Sequence, residues 1–122
     1  MGLFSKPTYE EMMLPFVFSQ TKEDVEAGVL GITAYGYVAG ERKFCYAAYS
    51  MKKSVMYENG DYDGIINMLK DSINKRIKVT FKIKKGKVKD FKFDLASLVS
   101  QYQDDRFNNL ELLGWGMPDK LL

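Results

Sequence analysis

The stretch Lys75–Leu95, KRIKVTFKIKKGKVKDFKFDL, constrains the fold more than any other part of the chain. In its first half, apolar residues alternate with basic or polar ones, which predicts a strand with one buried face. The dipeptide Lys85-Gly86 then predicts a two-residue hairpin turn, because glycine readily adopts the positive φ that such turns need. The stretch is therefore predicted to be a β-hairpin. Its first strand is predicted to bury Ile77, Val79, Phe81 and Ile83.

In the return strand of this hairpin, the alternation of apolar and polar residues shifts by one position. A two-residue turn pairs Ile83 with Val88, but Phe91 and Phe93 have the opposite parity from Val88. One extra residue at Lys89-Asp90 restores the alignment, so we predict a β-bulge there. The core pairs that follow are Phe81–Phe91, Val79–Phe93 and Ile77–Leu95.

The hairpin is also strongly basic. Residues 75–92 contain nine of the chain's eighteen Lys and Arg residues and a single acid, Asp90, although the formal net charge of the whole chain is only +2. A basic surface beside exposed aromatic rings is how OB-like barrels hold single strands of nucleic acid. The candidate residues for binding nucleic acid or another anion are Arg76, Lys78, Lys82, Lys84, Lys85, Lys87, Lys89 and Lys92, with Tyr35 and Tyr37 as stacking platforms.

A second explanation of these lysines needs no ligand. Lysines on exposed or edge strands prevent the edge-to-edge pairing that leads to aggregation. Asp90 and Asp94 are also placed to offset lysines across the strands. Both explanations stay open at the level of the sequence.

The amino-acid composition limits the kinds of function that the protein can have. At 122 residues the chain is expected to form one domain, residues 1–122, with a core that needs no disulfide or metal. There is no histidine, which removes the commonest general base and the commonest zinc ligand. Cys45 lies between aromatic residues and is expected to be a small core residue. We therefore predict a protein that is not an enzyme and that has no cofactor or metal. An enzyme that acts on a small substrate is the least favoured of the functional hypotheses.

No run of about 18 apolar residues is present, so no membrane span is expected. The first residues lack the apolar core of a signal peptide. A cytoplasmic location is the expectation.

The element order predicts an α+β fold. Residues 1–27 are expected to be helical, because Thr8–Glu11 matches a capping box, with a second helical turn at Thr21–Ala27. Residues 28–95 are expected to be a β-rich core with one helix at 61–73. Its predicted strands before that helix are Val29–Ala39, Lys43–Met51 and Ser54–Tyr57. The order β-β-β-α-β-β resembles an OB-like, partly open barrel; an antiparallel sheet with flanking N- and C-terminal helices is the alternative.

Residues 95–122 are predicted to hold C-terminal helices and an apolar tail. Leu95, Leu98, Val99 and Tyr102 form a helical stripe, a second short helix is expected at Asp105–Leu113, and Gly114 ends it. The apolar residues of this region could dock on the chain's own barrel or mark an interface with a protein partner or a second copy. The candidate interface residues are Leu110, Leu113, Trp115 and Met117.

Two functions follow. The leading one is a small binding module that holds single-stranded nucleic acid or another anion on the basic hairpin. The competing one is a protein-interaction or self-associating domain that uses the apolar C-terminal segment.

Overall fold

Two antiparallel β-sheets make up most of this protein in a computed structural model that describes residues 6–51 and 61–119. The described strands are β1 (Thr8–Leu14), β2 (Phe16–Ser19), β3 (Val29–Val38), β4 (Glu41–Met51), β5 (Ile77–Lys84), β6 (Lys87–Asp94) and β7 (Leu110–Gly116). The described helices are α1 (Lys22–Ala27), α2 (Asp61–Lys70) and α3 (Ala96–Tyr102), followed by a short 3₁₀ helix (Asp105–Asn109).

The strands are divided between two hydrogen-bonded sheets. Sheet A has the order β1-β5-β6, and sheet B has the order β2-β3-β4-β7. This arrangement confirms the α+β prediction. It does not confirm the OB-like barrel, because the two ladders are separate and neither sheet closes on itself.

The hydrophobic core is built from the inner faces of both sheets and from the apolar sides of the helices. The alternation of strand residues puts every second side chain into this core. Its fully buried members include Leu30 and Ile32 of sheet B, Val79 and Phe81 of sheet A, and Leu69 of α2. Helix α2 ends at Lys70, earlier than the predicted residue 73. Ile73, the last residue of the predicted helix, therefore lies outside α2 and is 79% exposed.

The basic hairpin forms as predicted. Lys85 and Gly86 both have positive φ, as a type I′ hairpin turn requires. Ile83 pairs with Val88 and Lys82 with Asp90, which leaves Lys89 as the extra residue of a bulge. The predicted pairs Phe81–Phe91 and Val79–Phe93 are present. The ladder ends at Lys78–Asp94, one pair short of the predicted Ile77–Leu95.

The N-terminal segment corrects the sequence-based prediction. Residues Thr8–Leu14 are not a helix but strand β1, which pairs with β5 from Thr8–Ile83 to Leu14–Ile77. The capping-box pattern at Thr8 is a local signal, and the hydrogen-bonding edge of β5 outweighs it. The second part of the prediction is confirmed. Helix α1 has a capping box between Thr21 and Asp24 and ends at Gly28, whose φ is 71°.

Pro15 joins the two sheets. Strand β1 ends at Leu14 in sheet A, and β2 begins at Phe16 in sheet B. The carbonyl oxygen of Pro15 accepts a hydrogen bond of 3.1 Å from the backbone nitrogen of Tyr35. Close by, a Cβ on Gly36 would lie 2.6 Å from Cδ2 of Leu14, so the glycine lets β1 approach β3.

The C-terminal region is helical only in part. Helix α3 places the predicted stripe against the core, and the carboxylate of Asp94 accepts a 3.0 Å hydrogen bond from the nitrogen of Ala96. The second predicted helix, Asp105–Leu113, stops at Asn109. The chain then continues as β7, which pairs with β4, so residues 110–113 are strand and not the predicted helix, and the strand extends to Gly116.

Strands β3 and β4 confirm two further predictions, Val29–Ala39 and Lys43–Met51, to within two residues at each end. The predicted strand Ser54–Tyr57 lies outside the described residues.

Candidate binding surfaces

The outward face of sheet A carries most of the predicted basic residues. The ladder registers arrange its side chains in rows that run across β1, β5 and β6. From the turn end to the far end, the three complete rows are Tyr9–Lys82–Asp90, Glu11–Thr80–Lys92 and Met13–Lys78–Asp94.

At the far end of this face the positive charge is balanced. Nζ of Lys78 lies 3.5 Å from a carboxylate oxygen of Glu11, and Asp94 is its partner on β6. The ion pair is solvent-exposed, so it contributes at most about 1 kcal/mol to stability. It nevertheless places negative charge beside Lys78. Arg76 lies outside the strand, and its backbone nitrogen bonds to the side chain of Gln101.

At the turn end the positive charge is not balanced. We call Lys82, Lys84, Lys85, Lys87 and Lys89 the lysine tip. Four of the five are exposed, and Lys82 is half-buried. Within residues 6–51 and 61–119, none of the five forms an ion pair with a carboxylate. Asp90 is the acid across the ladder from Lys82, and its Oδ1 accepts a 2.7 Å hydrogen bond from the nitrogen of Phe91.

The predicted stacking platforms do not join the lysines. Tyr35 and Tyr37 belong to β3, in sheet B, where Tyr35 is partly buried and Tyr37 is exposed. The structure instead places Tyr9 beside the lysines on the outward face of sheet A. Tyr9 lies directly across from Lys82 and is 66% exposed. Sequence reasoning missed it because β1 was predicted to be a helix.

The predicted C-terminal interface divides into buried and exposed residues. Leu110 is buried in the core, and Met117 is partly buried against it. Leu113 and Trp115 are 58% and 50% exposed. One face of Trp115 still contacts the domain, because its ring meets that of Phe91 edge-on at 5.5 Å. Docking on the domain therefore holds for Leu110 and Met117, whereas Leu113 and Trp115 remain at least half exposed.

A further exposed residue on β7 was not predicted. Leu112 is 56% exposed and neighbours Leu113, which is the extra residue where the register with β4 shifts. We call Leu112, Leu113 and Trp115 the apolar edge. Its strand is the last in the order of sheet B, so within the described residues no strand lies on its free side.

Cys45 is buried on the inner face of β4. Its side chain is fully buried, and burial raises the pKa of its thiol to about 12, while the nearby Lys43 lowers it slightly. The reactive form of a cysteine is the thiolate, which this environment suppresses. The structure therefore gives Cys45 the properties of a core residue rather than a nucleophile.

This burial predicts slow thiol chemistry in the folded protein. With the pKa raised from 9.0 to about 12, the thiolate fraction at neutral pH falls on the order of 100–1,000-fold. We expect the native protein to react with a chromogenic disulfide reagent at least about 100-fold more slowly than the urea-unfolded protein. Equal rates, followed by absorbance in the two states, would contradict this assignment.

An open cleft of about 490 Å³ lies between α2 and α3, and polar groups that line it form hydrogen bonds within the protein. Gln101 bonds through its side chain to Arg76 and Ser97, and the hydroxyl of Tyr102 donates to the carbonyl of Asp71. The bonds to Arg76 and Asp71 hold the loop between α2 and β5 against α3. Burial, and then the negative charge of Asp71, raise the pKa of Tyr102 to about 12.

The tightest ion pair of the described residues also has a structural role. Arg106 holds Asp104 with a shortest distance of 2.6 Å, from Nη2 to Oδ2. Hydrogen bonds from the Arg106 side chain are the main cause of a lowered pKa of Asp104. A Cβ on Gly64 would lie 2.8 Å from Nη1 of Arg106, so the glycine of α2 makes room for this guanidinium.

Comparison with known proteins finds no family model, no curated protein and no solved structure that matches this chain. In the described part of the chain, no cluster of acidic or cysteine side chains has the geometry of a metal site. The described helices are also too short or too polar to cross a membrane.

Proposed function

We propose that this protein is a protein-interaction domain that self-associates by pairing strand β7 with the same strand of a second copy. The observation that supports this proposal is the apolar edge, in which three large side chains within four residues are each at least half exposed, on a sheet edge that no other described strand covers. Exposed apolar groups of this kind mark interaction surfaces. A strand with a free edge also has unpaired backbone groups that a second strand can bond.

Comparison with the other sheet edges strengthens the proposal. Strand β6 carries three lysines, and β1 carries two adjacent glutamates. Strand β2 has only four residues and follows Pro15. Charges, short length and proline are the features by which proteins prevent unwanted pairing. Strand β7 has seven residues, no lysine and no proline; its single charge is Glu111, and its only protective feature is the bulge.

The sequence of β7 is compatible with pairing to itself. In an antiparallel pair centred on Leu113, Glu111 of one copy lies opposite Trp115 of the other, so the two glutamates do not meet. The same surface serves both copies, as a two-fold symmetric dimer requires. One strand buries less area than a stable interface normally needs. We therefore expect a reversible dimer with a Kd of about 10–100 µM.

The test is the concentration dependence of the molar mass measured by light scattering. The native protein should shift from monomer to dimer across this concentration range. Leu113→Lys should keep the protein monomeric, because a lysine at the centre of the pair would meet its symmetry mate. The matched control is Ile73→Lys, which introduces the same charge at an exposed apolar residue away from β7. It should dimerise like the native protein.

A native protein that remains monomeric at several hundred micromolar would overturn the proposal. Equal dimerisation of the Leu113→Lys variant would also overturn it, because association would then use another surface. Circular dichroism spectra that superimpose would establish that both variants fold.

A further inference from the structure

We propose that the lysine tip, together with Tyr9, forms a binding site for single-stranded nucleic acid. This site is independent of the proposed self-association, because it lies on the outward face of sheet A whereas β7 belongs to sheet B. It also differs from the site that the sequence suggests. Arg76, Lys78, Lys92 and the tyrosines of β3 are left out, and Tyr9 is added.

The first argument is the distribution of charge along the hairpin. The acids on the outward face are not spread evenly among the lysines. Glu11 and Asp94 both adjoin Lys78 at the far end, whereas the turn end has only Asp90 beside five lysines. If the lysines served only to protect the edge of β6, they would not need to extend onto the central strand β5, which is already paired on both sides. Lys82 and Lys84 are on that central strand.

The second argument is the position of Tyr9. Its ring is on β1, directly across from Lys82, and is mostly exposed. A sheet surface that combines cationic side chains with an exposed aromatic ring can bond phosphates and stack a base at the same time. Inorganic polyphosphate would use the charge alone and would gain nothing from the ring.

The third argument separates nucleic acid from a membrane surface. Basic residues that bind membranes act together with apolar side chains that enter the lipid interface. On the outward face of sheet A the exposed apolar side chain is Met13, and it adjoins Lys78 at the end away from the turn. The exposed leucines and tryptophan are on β7, in the other sheet.

The experiment is fluorescence anisotropy with a labelled oligothymidylate of about 12 nucleotides at low salt. We expect saturable binding whose affinity falls with salt, with a log–log slope of about −0.7 for each phosphate contacted. Replacing three lysines of the tip together, Lys84→Ala, Lys85→Ala and Lys87→Ala, should reduce affinity at least about tenfold.

Single variants provide a matched pair. Lys84→Ala and Lys78→Ala remove the same group from the same strand and the same face. The first should weaken binding about three- to tenfold, and the second should leave it within about twofold, because Lys78 is adjacent to two acids. Tyr9→Ala should weaken binding of the oligonucleotide about fivefold or more and leave binding of inorganic polyphosphate unchanged.

Three results would overturn the proposal. One is no binding of the oligonucleotide by the native protein at low salt. Another is an equal loss of oligonucleotide affinity in Lys84→Ala and Lys78→Ala, which would mean that binding depends only on the net charge of the protein. The last is unchanged oligonucleotide binding by Tyr9→Ala, which would reduce the site to a general attraction for anions. Dimerisation through β7 is measured separately and is not affected by any of these outcomes.

Discussion

Replacing Phe81 by alanine is expected to lower the free energy of unfolding by about 3–5 kcal/mol. Phe81 is fully buried on β5, the central strand of sheet A, and pairs with Phe91 across the ladder. Its removal takes away apolar burial and leaves a cavity that the paired strands on both sides cannot close. Small domains have about 5–15 kcal/mol of stability in total, so this loss is a large fraction of it.

Urea unfolding followed by circular dichroism measures this change. The control is Tyr37→Ala, which also removes an aromatic ring from a strand, but at a position that is 70% exposed. It should change stability by no more than about 1 kcal/mol. Similar losses for the two variants would mean that the inner face of sheet A is not the centre of the core.

Deleting one lysine from β6 is expected to unfold the protein or leave it intact, depending on which lysine is removed. Without Lys92, Phe93 would be opposite Thr80 on the outward face, and Asp94 would be opposite Val79 in the core. Closing the bulge instead would restore Phe93 but would place Asp90 opposite Phe81. Either register buries a carboxylate, so the loss should exceed about 4 kcal/mol.

Deletion of Lys89 is the matched control, because it removes the same side chain and charge from the same strand. Lys89 is the extra residue of the bulge, and without it Lys82 still pairs with Asp90 and Phe81 with Phe91. This variant should stay folded, with a loss of no more than about 2 kcal/mol from altered twist. Thermal unfolding of both deletions distinguishes the outcomes. Equal stability of the two would show that the register is not fixed by the bulge.

The hairpin was predictable because its information is local. Alternation, turn residues and parity are all contained in one stretch of 21 residues, and together they fix the strands, the turn and the bulged residue. The same is true of α1, α2 and α3, whose caps or apolar stripes are read within a few residues. Local patterns that agree with one another specify structure before any distant contact is known.

Strands β1 and β7 were not predictable from local patterns, because their partners are far away in the chain. The hydroxyl of Thr8 donates a hydrogen bond to the carbonyl of Ile83, which is 75 residues further along the chain. The residues around Thr8 also match the pattern of a helix N-cap, and nothing local decides between the two. Leu110–Gly116 contains two adjacent leucines and two glycines, which do not alternate; pairing with β4 and a bulge accommodate them.

Two residues are missing from the predicted candidate sites because β1 and β7 are strands where the sequence predicts helices. A helix at Thr8–Glu11 does not place Tyr9 beside the lysines of sheet A, and a helix at Asp105–Leu113 does not place Leu112 on a sheet edge. The composition of each surface, basic for one and apolar for the other, was visible in the sequence. Which aromatic and which leucines belong to them is decided by strand register.

Pro15 separates the parts of the chain that can fold early and late during synthesis. On its C-terminal side, β2 pairs with β3 and β3 with β4, so three strands of sheet B are available once residue 51 has been made. On its N-terminal side, β1 has β5 as its one strand partner among the described residues, and β5 is not complete until residue 84 has been made. Met12 and Leu14 therefore stay without their strand partners until β5 has been made, so β1 pairs later than strands β2, β3 and β4, which follow it in the chain.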